Sequence, residues 1–160
     1  MRARVFATIV AALAVAVGSC APVATQLVVV LRSDVPVQQM RAIDAQVLRQ
    51  GVATPIVHHA LPTQGLTWPL SFGVVAADAS DTRPLIVIAT LQFADGMGGG
   101  TVTQSALVQT ISSRVLQLDL NMNRDCVDRA GVAPRCTWPQ TCSVGQCVAV
   151  ERTNLPQLNP

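Results

Sequence analysis

Short β-branched apolar runs separated by polar turns organise this chain. Thr25 to Arg32 (T-Q-L-V-V-V-L-R) reads as a strand buried on both faces, and Ser33-Asp34-Val35-Pro36 breaks it. Thr54 to Leu61 is a short β-like run between Gly51 and Pro62. Trp68 to Ala76 (W-P-L-S-F-G-V-V-A) and Leu85 to Phe93 (L-I-V-I-A-T-L-Q-F) are clear strands, parted by the polar turn Asp78-Ala79-Ser80-Asp81. Val102 to Ile111 and Val115 to Leu120 follow. The last alternates cleanly, with Leu116, Leu118 and Leu120 on one face and Gln117 and Asp119 on the other. Residues 25–120 therefore predict an all-β fold, an antiparallel β-sandwich of about seven strands. The links are too short for crossover helices, so adjacent strands should mostly be antiparallel neighbours. Leu27, Val29, Leu70, Phe72, Ile86, Ile88, Leu116 and Leu118 are expected in one core.

Val37 to Gln50 supports two readings. Met40, Ile43 and Val47 fall at helical spacing, Ser33 or Asp34 could cap, and Gly51 could terminate. Ile43, Ala45 and Val47 also alternate with Asp44, Gln46 and Leu48, as a strand would. Periodicity alone slightly favours the helix.

The N-terminus has a different texture. Met1-Arg2-Ala3-Arg4 is basic, Val5 to Val17 is almost unbroken apolar sequence, and Gly18-Ser19-Cys20 follows. This is the layout of a secretory signal over residues 1–19. A helix over the apolar run would span roughly 20 Å, short of the roughly 30 Å of a bilayer core. The cysteine after the small pair resembles the lipobox of bacterial lipoproteins, although Val17 stands where such motifs most often carry Leu. That resemblance implies cleavage before Cys20 and lipidation of its thiol, with three acyl chains on the mature residue. Several chains hold a protein durably where one does so only marginally. Residues 20–24 would then be a short lipidated tether that keeps the body close to its membrane.

Loss of the signal changes the charge balance. Arg2 and Arg4 leave with it, so nine Arg face nine acidic residues in the mature chain. A near-neutral protein lacks the basic surface that nucleic acid requires. The chain has no Lys, which excludes Schiff-base chemistry and a phosphate-loop lysine, and no Tyr.

Beyond Leu120 the apolar runs stop and cysteines begin. Cys126, Cys136, Cys142 and Cys147 form an even, clustered set, which in an exported chain reads as two disulfides within a small module over 121–150. Gaps of nine, five and four residues do not form the paired knuckles of a zinc site. Three connectivities are open, with Cys126–Cys142 and Cys136–Cys147 weakly preferred. Residues 151–160 read as a tail.

Few residues invite chemistry. His58 and His59 are adjacent, so on a strand they face opposite ways and cannot chelate one ion. Asp95-Gly96-Met97-Gly98-Gly99-Gly100 is glycine-rich but runs between strands and lacks Lys-Ser/Thr, so it reads as a hairpin loop. Asp119, Asn121, Asn123 and Asp125 recur at every second position like the first half of a calcium loop over 119–128. Arg124 stands where that loop needs Gly, and Ala130 where it needs Glu. There is no G-x-S-x-G elbow, and Asp34, Asp44, Asp78, Asp81 and Asp95 sit singly. No catalytic residue and no cofactor is inferred.

The chain resembles a family of uncharacterised lipoproteins abundant in myxobacteria and related bacteria with large, GC-rich genomes. The resemblance rests on the lipobox at Cys20, T-Q-L-V-V-V-L-R-S-D-V-P, P-L-S-F-G-V-V and C-T-W-P-Q-T-C-S-V-G-Q-C-V. It covers nearly the whole mature chain and implies a β-sandwich body with a small cysteine module. It also favours a loop running into a strand over Val37 to Gln50, and carries no activity. The expected role is that of a lipid-anchored outer-membrane protein acting by contact with an envelope protein or polymer. The alternative is a module that binds a glycan or small ligand. Glycan platforms are usually aromatic, and this chain offers few such side chains besides Trp68 and Trp138, whose exposure discriminates the two.

Overall fold

The computed structural model describes residues 24–61, 63–76, 80–94, 99–128 and 136–158. The strands are β1 (Gln26–Arg32), β2 (Met40–Arg49), β3 (Val57–Leu61), β4 (Leu70–Val75), β5 (Leu85–Phe93), β6 (Thr101–Val108), β7 (Val115–Asn121), β8 (Gln140–Ser143), β9 (Gln146–Ala149), β10 (Glu151–Arg152) and β11 (Gln157–Leu158). Single 3-10 turns occupy Val37–Gln39 and Arg124–Cys126. Among the described residues no helix is long and apolar enough to cross a membrane.

Two sheets face each other across one core. The first has the order β11-β7-β1-β4 and the second β10-β6-β5-β2-β3, while β8 and β9 form a separate hairpin. The chain crosses repeatedly between the sheets, and this has a topological consequence. β1 pairs antiparallel with β4 but parallel with β7. A parallel pair needs a long crossover connection, usually a helix, and here residues 33–114 supply it by way of the opposite sheet and β4. Paired strands are antiparallel except for this pair and β6 with β10, but consecutive strands are mostly not neighbours: only β2 with β3, β5 with β6 and β8 with β9 pair, because the short links cross to the other sheet.

Val37 to Gln50 is a 3-10 turn running into a strand, not a helix. Both readings bury Ile43 and Val47, so those residues could not decide. The ladder decides: β2 lies between β3 and β5 with Ala45 fully buried, and a helix would forgo those cross-strand bonds.

The core holds Leu27, Val29, Leu70, Leu116 and Leu118 as expected, with Phe72 half-buried against it. Ile86 and Ile88 are a correction. Leu85, Val87, Ala89, Leu91 and Phe93 are the buried side of β5, and the two isoleucines face outward, half-exposed. The run L-I-V-I-A has no polar break to set its phase. Thr90 and Gln92 set it, since polar residues on the solvent face put every even position outside.

The described part of the cysteine-rich segment joins the main core. Cys126, Val127, Cys142 and Val150 are buried. The segment after it is not a free tail, because β10 extends one sheet beside β6 and β11 extends the other beside β7. Residues 151–158 thus strap one side of the sandwich. On the opposite side the edges β3 and β4 meet through His59 and Phe72, ring centroids 5.2 Å apart.

Candidate functional site at the disulfide-locked hairpin

β8 and β9 are in register from Gln140↔Ala149 to Ser143↔Gln146, which leaves a two-residue turn, Val144-Gly145. Both turn residues have positive φ, 48° and 72°. This pattern is that of a type I′ turn, whose twist matches the flanking strands and which ordinarily carries Asn-Gly. Gly145 adopts it without steric cost. Val144 is β-branched, and holding such a residue there costs about 1–3 kcal/mol. Its side chain is 66% exposed, so packing within this molecule does not offset the cost. Trp138, just ahead of β8, is 54% exposed. Trp68, by contrast, packs half-buried against the core and donates its Nε1–H to the Val35 carbonyl at 2.6 Å.

The hairpin is held one residue pair behind its turn by the crossed disulfides. Cys142 and Cys147 lie directly opposite each other yet bond elsewhere, Cys142 to Cys126 and Cys147 to Cys136. The weakly preferred connectivity is the one present.

The same segment covers the edge of β6. The Asp128 N–H donates to the Thr101 carbonyl at 2.7 Å. The Ser105 N–H donates to the Thr141 Oγ1 at 2.9 Å, and the Leu107 N–H to the Val150 carbonyl at 2.8 Å. Gln104, buried on the inner face, donates its Nε2–H to the Cys142 carbonyl. An uncovered β-edge is a template for unwanted pairing, and these contacts close most of it. Between the Thr101 and Ser105 contacts a polar cleft of about 430 Å³ remains, bounded by Thr103, Asp128, Gln140 and Thr141 with cysteines at its margin. Sequence reading missed this cleft. Its one trace is the alternation of hydroxyl side chains in T-V-T-Q-S over 101–105.

The other candidates fall in different places. Cys20, Asp78 and Asp95 with residues 96–98 lie outside the described residues. Gly99 and Gly100 have positive φ and lead into β6, as a strand-to-strand connection requires. His58 and His59 do face opposite ways on β3, because His58 Nε2 lies 2.5 Å from Asp44 Oδ2 while His59 rests on Phe72. Asp119 faces outward on β7 and accepts from Arg32 Nε at 3.2 Å and Gln117 Nε2 at 2.8 Å. Asn121 ends that strand, Asn123 precedes the second 3-10 turn, and Asp125 sits within it. Among the described residues no three of His, Cys, Asp and Glu converge where they could hold an ion. Asp34 accepts the Arg124 N–H at 2.9 Å and so fixes that turn to the end of β1.

Asp81 has two cationic partners. Arg83 donates from Nε and Nη2 at 2.9 and 3.0 Å, and Arg49 donates from Nη1. These bonds, Arg83's first, hold its carboxyl well below the usual range. The same pairing raises the Arg83 guanidinium. The cluster joins the end of β2 to the β4–β5 connection beside an apolar crevice of only about 30 Å³. That is room for about one water, so the cluster reads as a structural tie.

Compared with known proteins, no family model, no curated protein and no solved structure matches the chain.

Proposed function

We propose that this protein is a lipid-anchored envelope protein of the interaction type. Cys20 tethers it at the outer membrane, and the disulfide-locked hairpin engages an envelope protein or polymer. The observation that carries the reading is Val144, a β-branched apolar side chain in a left-handed turn conformation, with most of its surface in water. An unfavourable conformation that the fold itself does not repay is the kind of feature retained for function. Trp138 supports it, since exposed tryptophans are enriched among the residues that dominate binding energy. The sandwich serves as scaffold, and residues 21–24 keep it near the membrane.

The test is crosslinking of the mature lipoprotein in native envelope, with Val144→Asn and Trp138→Ala as variants. Asn suits the turn, so Val144→Asn should raise stability by about 1 kcal/mol while it loses the crosslinked partner. Opposite changes in stability and capture distinguish a contact residue from a structural one. Capture of the same partner at undiminished yield by both variants overturns the proposal.

A further inference from the structure

Among the described residues six large apolar side chains are exposed, and four of them stand at one end of the sandwich: Val52, Ile56, Val75 and Ile111. The register places them there. Gln26, the first residue of β1, lies opposite Val75 and Val115, so β1 begins where β4 ends and β7 starts. In the other sheet Leu85, the first residue of β5, lies opposite Arg49 and Val108, which brings the 50–56 and 109–114 connections to one end. A shared crevice joins the two sheets at this end, because Thr25 and Val75 line it together with Arg49, Ile56 and Thr110. The Val52 N–H donates to the Arg49 carbonyl at 3.0 Å, and Ile111 follows Thr110, so both stand beside that lining.

The chain enters at this same end. Thr25 is buried, its Oγ1 accepts the Ser113 N–H at 2.9 Å, and its carbonyl accepts the Ala76 N–H at 3.0 Å. The point of departure toward Cys20 is thereby fixed between the end of β4 and the 111–114 turn. Five residue steps separate Thr25 from Cys20 and reach at most about 18 Å. An anchor on Cys20 thus holds this end near its leaflet, and the far end stands about 20 Å further along β1. The hairpin tip belongs to the far end. Gly145 packs beside Asp125, in the 3-10 turn after β7, and that turn is tied to Asp34 just beyond β1.

We infer that this end is a membrane-docking face, whose Val52, Ile56, Val75 and Ile111 side chains enter the interfacial layer of the bilayer that carries Cys20. The inference rests on the reading of Cys20 as the anchor. Clustered exposed apolar side chains mark contact or membrane surfaces. They gain free energy by leaving water for the acyl boundary, and a short tether keeps them concentrated there. Arg114, exposed in the same turn as Ile111, supplies a guanidinium suited to lipid phosphate. The Asp81 carboxylate at this end is held by Arg49 and Arg83, so it does not present a bare negative charge to the headgroups. Docked in this way, the body turns the exposed tip at Val144 away from the membrane and toward its partner.

Methyl NMR in lipid nanodiscs of phosphatidylethanolamine and phosphatidylglycerol tests the inference, since the four side chains and Val144 are all Ile or Val. The mature chain is coupled to a maleimide lipid through the Cys20 thiol, the other four cysteines being paired, so attachment does not depend on natural acylation. Lipids with nitroxide headgroups should broaden the methyl signals of Val52, Ile56, Val75 and Ile111 and leave those of Val144 sharp. Val75→Ser combined with Ile111→Ser, both exposed positions, should reduce the broadening at Val52 and Ile56 about tenfold while the rest of the spectrum keeps the parent pattern. Three results would each overturn the inference: no broadening at the four sites, equal broadening at Val144, or undiminished broadening at Val52 and Ile56 in the double variant, as tethering alone would give. Acylation is read separately, from the mass of the protein isolated from cells. Missing acyl chains would remove the anchor reading and leave the docking result standing.

Discussion

The Ser105 main-chain N–H and the Thr141 hydroxyl meet at 2.9 Å across 36 positions of sequence, and the bond joins an edge strand to the hairpin that covers it. Thr141 is 2% exposed, so water cannot take over from the hydroxyl. Thr141→Val keeps the side-chain shape and strands the N–H. The expected loss is about 1–3 kcal/mol in denaturant unfolding, with Thr141→Ser retaining most of the stability. A Val variant as stable as the parent would show that the edge is held by other contacts.

The two disulfides should differ in importance. Cys126 and Cys142 are buried in the main core and close a span of 16 positions. Replacing both with Ala should cost about 3 kcal/mol from chain entropy, before any loss of packing. The Cys136–Cys147 pair lies nearer the surface, and its removal should cost less. Peptide mapping of the unreduced protein should recover the crossed pairs; a Cys126–Cys136 link would contradict the fold.

Acid should loosen the end of the sandwich where Arg49, Arg83 and Asp81 meet. The folded Asp81 carboxyl binds its proton at lower pH than the unfolded one, so below pH about 4 the unfolded chain takes up more protons. Stability from this carboxylate is therefore complete near neutrality and falls as pH drops from about 4. Asp81→Asn should reduce stability at pH 7 and flatten its dependence on pH in that acid window, as read from unfolding curves. An unaltered pH dependence would assign the acid sensitivity to other groups.

Lipid attachment makes a separate prediction. Cys20→Ser should leave the precursor uncleaved and without the added mass of acyl chains, and the protein should no longer behave as a lipid-modified species on detergent phase separation. Normal processing of the variant would remove the anchor from the proposal.

Much of the fold was legible where polar residues interrupt apolar ones. β7 was readable because Gln117 and Asp119 fix the phase of Leu116, Leu118 and Leu120, and all five lie as expected. The first half of β5 was not, because four consecutive large or β-branched residues, Leu85 to Ile88, satisfy either phase. β2 was ambiguous for a different reason: Ile43 and Val47 are four apart, a spacing common to a helix face and a strand face. The parallel pairing of β1 with β7 and the two short strands of the strap depend on crossings between sheets, which local pattern does not encode. The hairpin's cysteines announced themselves, but its turn was hidden. Val-Gly is a poor sequence signal for a turn that usually displays Asn-Gly, and the residue that obscured the turn is the one exposed at its tip.

The strap over both sheets also orders events in time. β1 finds its partners only at β4 and β7, and the sides of β6 and β7 away from the centre receive β10 and β11 only when residues 151–158 exist. A chain delivered from its N-terminus onward therefore cannot finish its sandwich early. Its first strand must wait for its seventh, and both sheets must wait for the last to be sealed. Such a polypeptide can form its local hairpins early, but it closes the outer side of both sheets only once residues 151–158 have followed the rest.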